Sequence, residues 1–392
     1  MALPETLAQL KYVIFSWQNT PLLKRDGLAR TFFKSRATMS TIASSLGGFP
    51  LTLWEACASG SVPELWLADT QCARLIAQLA ETMGPSRAQA SWKSTAYHRR
   101  ASLERAGPVV PRVFCSQGEL EHRFGELKDM DDWHSTRAHW KELRHAQEAY
   151  AFLHEAVRRG DVHEPEWIAV DIETWEQDHD LITEVGVASL RIDHQGELHS
   201  SVEHYVLEEN ASKRNGRYCP DARDYFQLGT SITLPRADLT QLLRARLHGR
   251  KGPVFLLLHD CRGDVKSLTA LDVDINAFEK NPLLPDAASP AGAQAYTAHT
   301  GSGFLLDTQR LYSGWNRRKR QVRLADACHA LGVRLPGDNI DEKLAFHNSG
   351  NDAYATLEVF RRLLEQQIGE TADEVKPAGW TLGGRPAAKE QR

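Results

Sequence analysis

The sequence predicts an α/β protein: a mixed five-stranded sheet flanked by helices, preceded by a mainly helical N-terminal region. Three observations lead there. Residues 167–174, 182–192 and 201–207 are strand-like runs separated by polar turns, the pattern of an antiparallel meander. Two later apolar runs, Val254-Phe255-Leu256-Leu257-Leu258 and Gly303-Phe304-Leu305-Leu306, alternate with helical segments, which implies partly parallel pairing with both faces covered. A final helix carries Ala353, Leu357, Phe360, Leu364 and Ile368 on one face, the stripe of a core-facing helix.

Composition limits the alternatives. A chain of 392 residues is long enough for a full core plus a second, smaller unit. Apolar content of 42% and charged content of 25% exclude wholesale disorder and collagen-like classes. The net charge of −4 means that any affinity for nucleic acid must come from local basic patches. Six cysteines, Cys57, Cys72, Cys115, Cys219, Cys261 and Cys328, are scattered without a CxxC pair, which fits reduced thiols and disfavours a zinc site. The first 17 residues lack the apolar stretch of a signal peptide, and no apolar run reaches the roughly 18 to 20 residues of a membrane span. The expectation is a cytoplasmic or nuclear protein without membrane contact.

The expected organisation is an N-terminal accessory region over 1–160, the sheet domain over 161–370, and a disordered polar tail over 371–392. Within the first region, Leu75, Ile76, Leu79 and Met83 have helical spacing, and Gly84-Pro85 stops them. Residues 109–115 read as a strand interrupted by Pro111. Ser116-Gln117-Gly118-Glu119 fits a capping box. A long helix follows, with Trp140, Leu143, Tyr150, Leu153 and Val157 on one side, and ends at Gly160. Residues 84–108 are basic with interleaved Trp92 and Tyr97, which suits either a solvated linker or contact with a single strand. Residues 272–302, rich in Pro, Ala, Ser and Gly, are a long insertion or a substrate-facing loop.

The chemistry concentrates around Trp167-Ile168-Ala169-Val170-Asp171-Ile172-Glu173-Thr174. Carboxylates two apart on a strand share one face, so the end of this strand can offer a hard cation two oxygen ligands. By itself the pair also fits a solvated acidic turn. Its context adds Asp264, which follows the 254–258 run and opens a helix, and Asp352, within His347-Asn348-Ser349-Gly350-Asn351-Asp352 at the last helix. Ligand sites in open α/β sheets gather at the carboxyl ends of strands.

The set Asp171-x-Glu173, Asp264 and His347-x4-Asp352, in this order, resembles the DEDDh branch of the ribonuclease H-like 3'-to-5' exonucleases. Ile182-Thr183-Glu184-Val185-Gly186, the apolar strand ending in Asp307-Thr308, and Leu324-Ala325-Asp326-Ala327-Cys328 resemble further signatures of that family. Asp171-Ile172-Glu173-Thr174-Trp175-Glu176, Arg214-Asn215-Gly216 and the 347–353 wording look most like a fungal subgroup with members linked to messenger-RNA export. The resemblance covers about 165–368. It departs at Glu176, where many members have Gly, and at Asp260 and Gly263, where many have Asn and an aromatic.

The resemblance implies a metal-dependent 3'-to-5' exonuclease acting on RNA or DNA 3' ends with two Mg2+ or Mn2+ ions. Asp171 would bridge both ions, Glu173 and Asp352 would hold the nucleophile-side ion, and Asp264 would support the other through water. His347 would be the general base. Lys213, Arg214 and the run Arg317-Arg318-Lys319-Arg320 are candidates for nucleic-acid contact, the run serving equally as a nuclear address or a solvated loop. His259, Glu184 and Asp307 read as structural. The alternative function is a non-catalytic adaptor for nucleic acid or protein on the same fold.

Overall fold

The computed structural model describes residues 6–10, 42–57, 63–85, 97–99, 103–104, 108–276, 278–279, 303–317, 321–335 and 346–368, with single positions between 287 and 296. The chain divides into two compact units, one running to His134 and the other from Ser135 to Gly379. The division falls inside the long helix instead of after it, where the sequence suggested 160. The expected tail at 371–392 lies outside the described residues, as does most of the basic segment at 84–108.

In the first unit, β1 (Thr6–Gln9), β2 (Leu51–Cys57), β3 (Pro63–Ala68), β4 (Tyr97–Arg99) and β5 (Val110–Phe114) form an antiparallel sheet in the order β4-β1-β3-β2-β5. Helix α1 (Asp69–Met83) follows β3, and α2 (Gln117–Arg158) follows β5. Leu51, Leu53, Leu65 and Leu67 pack with Cys72 and Leu75 of α1 and Leu120 of α2. On the opposite face Trp54, Ala56 and Trp66 pack with Leu103, and the Trp66 indole donates to the Ala56 carbonyl at 3.0 Å. The helices were expected. The sheet corrects the reading of this region as mainly helical: β1 and β4 are only four and three residues long, and β2 and β3 bury residues on both faces, which blurs the two-residue alternation of a strand.

The second unit contains β6 (Glu166–Trp175), β7 (Asp178–Ile192), β8 (Leu198–Leu207), β9 (Ile232–Leu234), β10 (Val254–Leu258), β11 (Phe278–Glu279) and β12 (Gly303–Asp307). Their order is β11-β12-β10-β6-β7-β8-β9. The β6-β7-β8 meander is antiparallel, whereas β10 runs parallel to both β6 and β12. The expected five strands therefore form the sheet, widened by the short edge strands β9 and β11. Helices α3 (Arg236–His248), α4 (Arg262–Ala270), α5 (Thr308–Asn316), α6 (Leu324–Leu331) and α7 (Ser349–Glu365) complete the unit.

Both faces of this sheet are covered, which explains why β6 and β10 read as unbroken apolar runs. On one face Trp167, Ala169, Phe255 and Leu257 meet Leu143, Ala146 and Leu153 of α2 and Leu357 and Phe360 of α7. Trp167 stacks on Phe255 with ring centroids 5.0 Å apart. On the other, Ile168, Val170, Leu256 and Leu258 meet Leu239, Leu243 and Leu247 of α3 and Leu268 of α4. Odd-numbered residues of β6 thus face α2 and α7, and that alternation carries Asp171 and Glu173 toward α7.

Candidate metal centre

Two elements supply the cluster. Asp171 and Glu173 stand near the C-terminal end of β6, and Asp352 lies in the first turn of α7. One carboxylate oxygen from each lies within 4.8 Å of the others. The approach of α7 to the sheet depends on Gly186 of β7, where a Cβ would collide with the Ser349 carbonyl and the Gly350 nitrogen. Asn348 caps α7, its side-chain oxygen accepting from the Asn351 N–H at 3.1 Å, while its amide donates to the carbonyls of Ala222 and Arg223. The Asn351 amide donates to Tyr225, and its oxygen accepts from Gln227 N. Both asparagines therefore fasten the 222–227 segment to the helix that carries Asp352.

The electrostatics show what the cluster lacks. Burial, followed by repulsion from Asp352, Asp264, Glu173 and Glu184, holds the Asp171 carboxyl well above its ordinary value. Burial and the neighbouring acids push Glu173 up to about 8. Asp352 is also raised to about 8, by burial first, although the His347 backbone N–H donating to its Oδ2 at 2.9 Å works against the shift. Its Oδ1 is buried without a hydrogen-bond partner among the described residues. An all-oxygen donor set, mutually repelling and with one orphaned buried oxygen, fits a hard divalent cation.

Asp264 sits in the first turn of α4, near enough to raise the three carboxyls but outside their 4.8 Å group. Burial raises it to about 7, opposed by the Ile172 backbone N–H. Asp307 organises the preceding turn: its carboxylate accepts from the N–H groups of Asp260, Cys261 and Gln309. His259 is fixed by Nε2–H donation to the Val322 carbonyl at 2.8 Å and by Thr308 Oγ1 at 2.9 Å from Nδ1. These are the structural roles the sequence suggested for them.

His347 lies at the edge of the cluster. Its Nδ1 is 4.0 Å from Glu173 Oε1, and half of its side chain is exposed. Burial lowers its pKa, so a neutral ring prevails near pH 7. Its backbone adopts a φ of +66°, in the left-handed region, which places its N–H on Asp352.

The basic candidates have different fates. Lys213 holds its ammonium 4.7 Å from the centroid of the Trp175 ring. Arg214 is committed to Asp221 and Asp224, each at 2.6 Å, and acts inside its loop. Arg317 is exposed and caps α5 with a φ of +55°. Arg318, Lys319 and Arg320 lie outside the described residues.

Two features escaped sequence reading. Glu184, His204 and Arg223 are buried together, with His204 Nε2 and Arg223 Nε each 3.0 Å from a Glu184 oxygen. Glu184 was recognisable, but its partners lie 20 and 39 residues away with no local signal. Glu176 is the second feature, its carboxylate accepting from the N–H groups of Arg217, Tyr218 and Cys219. Its departure from the family pattern was the available clue.

A mixed sheet whose central strand and last helix bring three carboxylates together is the arrangement of a DEDDh exonuclease-like fold. The chain belongs to the DEDDh family described as DNA polymerase III subunit epsilon-like, C-terminal domain, whose sequence model matches residues 166–363, just over half its length. Among curated relatives, an uncharacterized Saccharomyces cerevisiae protein is 25% identical over 55% of this chain and 44% of its own. An uncharacterized nucleolar protein of Schizosaccharomyces pombe is 25% identical over 50% of this chain and 68% of its own. The S. cerevisiae "Good for full DBP5 activity protein 2" is 24% identical over 59% of this chain and 41% of its own. The chain thus spans less than half of two of these relatives. A solved structure of exonuclease I is 15% identical over 52% of this chain and 41% of that one, with a TM-score of 0.31.

Proposed function

We propose that this protein is a metal-dependent 3'-to-5' exonuclease that hydrolyses phosphodiester bonds at the 3' ends of single-stranded RNA or DNA. The observation that carries the reading is the 4.8 Å carboxylate cluster, with its unpartnered Asp352 oxygen and a histidine beside it. Asp171, Glu173 and Asp352 would hold one Mg2+ or Mn2+ ion, and Asp171 with Asp264 a second. Such ions supply a nucleophile at neutral pH and stabilise charge on the attacking and leaving oxygens. Glu173 and Asp352 fix the side from which water attacks. His347, with Nδ1 turned toward Glu173 and its ring neutral, accepts the proton of that water. Lys213 guides the strand, and the run 317–320 adds phosphate contacts. A nuclear location accords with the nucleolar relative. Among the described residues no helix is long and apolar enough to cross a membrane.

The test is digestion of single-stranded RNA and DNA labelled at either end, with Mg2+ or Mn2+ and then with chelator. Metal-dependent shortening from the 3' end is expected. Intact strands under every metal condition, despite measurable binding, would leave the adaptor reading in its place.

A further inference from the structure

Immediately after the carboxylate strand, residues 174–176 are fastened one by one to the loop over 211–219. The Thr174 carbonyl accepts from the Asn215 amide at 3.2 Å, and the Trp175 indole donates to the Arg214 carbonyl at 3.2 Å. Glu176 N donates to Asn215 Oδ1 at 2.9 Å, while the Glu176 carboxylate gathers the N–H groups of Arg217, Tyr218 and Cys219 at 2.8, 2.7 and 3.1 Å. Consecutive N–H groups converging on one carboxylate make a backbone nest, which holds the turn in a single conformation. At its base the loop is held by Arg223, whose guanidinium donates to the carbonyls of Ala211 and Lys213, both at 2.7 Å. Arg223 is itself buried against Glu184. Glu173 is close enough to help burial raise the Cys219 thiol, so the loop borders the carboxylate cluster.

The groups that this fastened loop leaves uncommitted share one chemistry. Tyr218 is 70% exposed, with the Arg217 guanidinium 5.0 Å from its ring centroid, and Lys213 lies over Trp175. Neither Lys213 nor Arg217 pairs with a carboxylate among the described residues, whereas Arg214, between them, is neutralised twice. A polyanion approaching the three clustered acids needs cations at the threshold, and a rigid loop with alternating cations and rings offers phosphate contact together with base stacking.

We propose that residues 211–219 form a platform for single-stranded nucleic acid, with Lys213 and Arg217 on phosphates and Tyr218 and Trp175 against bases, and with Glu176 as its positioning residue. The platform rests on the exonuclease reading only for the direction in which the strand runs. The Glu in place of a common family Gly is, on this view, the device that anchors the platform beside the site.

Binding separates the two ideas. The full chain is titrated, in chelator, into fluorescein-labelled ribo- and deoxyribonucleotide dodecamers and followed by anisotropy. Tyr218→Ala should weaken binding about 10-fold, the scale of one lost stack, and Tyr218→Phe should retain it. Lys213→Met and Arg217→Met should each lower the salt slope by about 0.7, whereas Lys251→Met, on the exposed turn before β10, should not change it. Glu176→Ala should weaken binding at least as far as Tyr218→Ala, and adding Tyr218→Ala to it should cost little more. Hydrolysis of the 4-nitrophenyl ester of thymidine 5'-monophosphate by the unaltered protein with Mn2+ reports on the metal centre alone. Ester hydrolysis combined with wild-type strand affinity in Tyr218→Ala and Lys213→Met overturns the platform and spares the nuclease. No hydrolysis of ester or strand, with binding that still depends on Tyr218, overturns the nuclease and spares the platform. A protein that binds neither dodecamer, or that loses as much slope through Lys251→Met, also overturns it.

Discussion

Asp352 has one oxygen satisfied by the His347 N–H and another buried with no partner among the described residues, so in the absence of a cation its ionised form is disfavoured. The same holds for Asp171 and Glu173. Because all three carboxyls titrate higher in the fold than in the unfolded chain, they favour folding most fully below about pH 4. That contribution fades as pH rises through about 8. The metal-free protein should therefore melt at a lower temperature at pH 8 than at pH 5, and Mg2+ or Mn2+ should recover the difference in a thermal-shift titration. Asp171→Asn or Glu173→Gln should abolish hydrolysis while keeping the fold, and each should raise the metal-free melting temperature at pH 8. Undiminished cleavage by either variant would remove the two-ion mechanism. His347→Ala should keep the metals and strand bound but slow single-turnover cleavage by about 100- to 10,000-fold, with a flattened acid limb in its pH-rate profile. Equal rates with and without the imidazole would exclude it as the base. Asp171, Glu173 and Asp352, which the structure brings together, were legible in order and spacing, because carboxylates that share one site fall at fixed strand and helix positions. Arg223 and His204 were not, because their partnership with Glu184 exists only after the meander and the 211–227 loop have folded.

At the scale of elements, the contact between β7 and α7 sets the site, since one carries Gly186 and the other Asp352. A methyl at position 186 would press on the backbone of Ser349 and Gly350, which cannot rotate away. Gly186→Ala should thus cost about 1 to 3 kcal/mol in denaturant unfolding and weaken Mn2+ binding, because the displaced helix carries a ligand. Retention of both stability and affinity would mean that the helix has another way to sit. Strands β6, β10 and β12 were readable as continuous apolar runs because both faces of the sheet are buried. Helix α7 was readable from its stripe. Helix α3 was missed although Leu239, Leu243 and Leu247 recur at one-turn spacing after Pro235, because Arg236, Arg244 and Arg246 dilute the apolar signal. The strand Leu51–Cys57 was overlooked for a related reason: Trp54 is buried on one face while Leu51 and Leu53 are buried on the other, which blurs a two-residue alternation.

For the whole molecule, the domain boundary was the least legible feature, because the sequence marks a helix end at Gly160 and the packing ignores it. Trp140, Leu143, Ala146, Ala149, Leu153 and Val157 of α2 are buried in the second unit, and Leu143 through Val157 share one core with Trp167 and Phe360. Arg310 reaches Glu142 on the same helix, and the Gln147 amide donates to the carbonyls of Leu363 and Gln366. A fragment beginning at 161 should consequently be insoluble or bind a hydrophobic dye, whereas one beginning at 135 should give a cooperative melt. Equal behaviour of the two fragments would show the helix to be dispensable. Helix α2 also bears on how the protein is cleaved. Proteases cut extended backbone, and the junction at His134–Ser135 is mid-helix, so limited proteolysis should spare it.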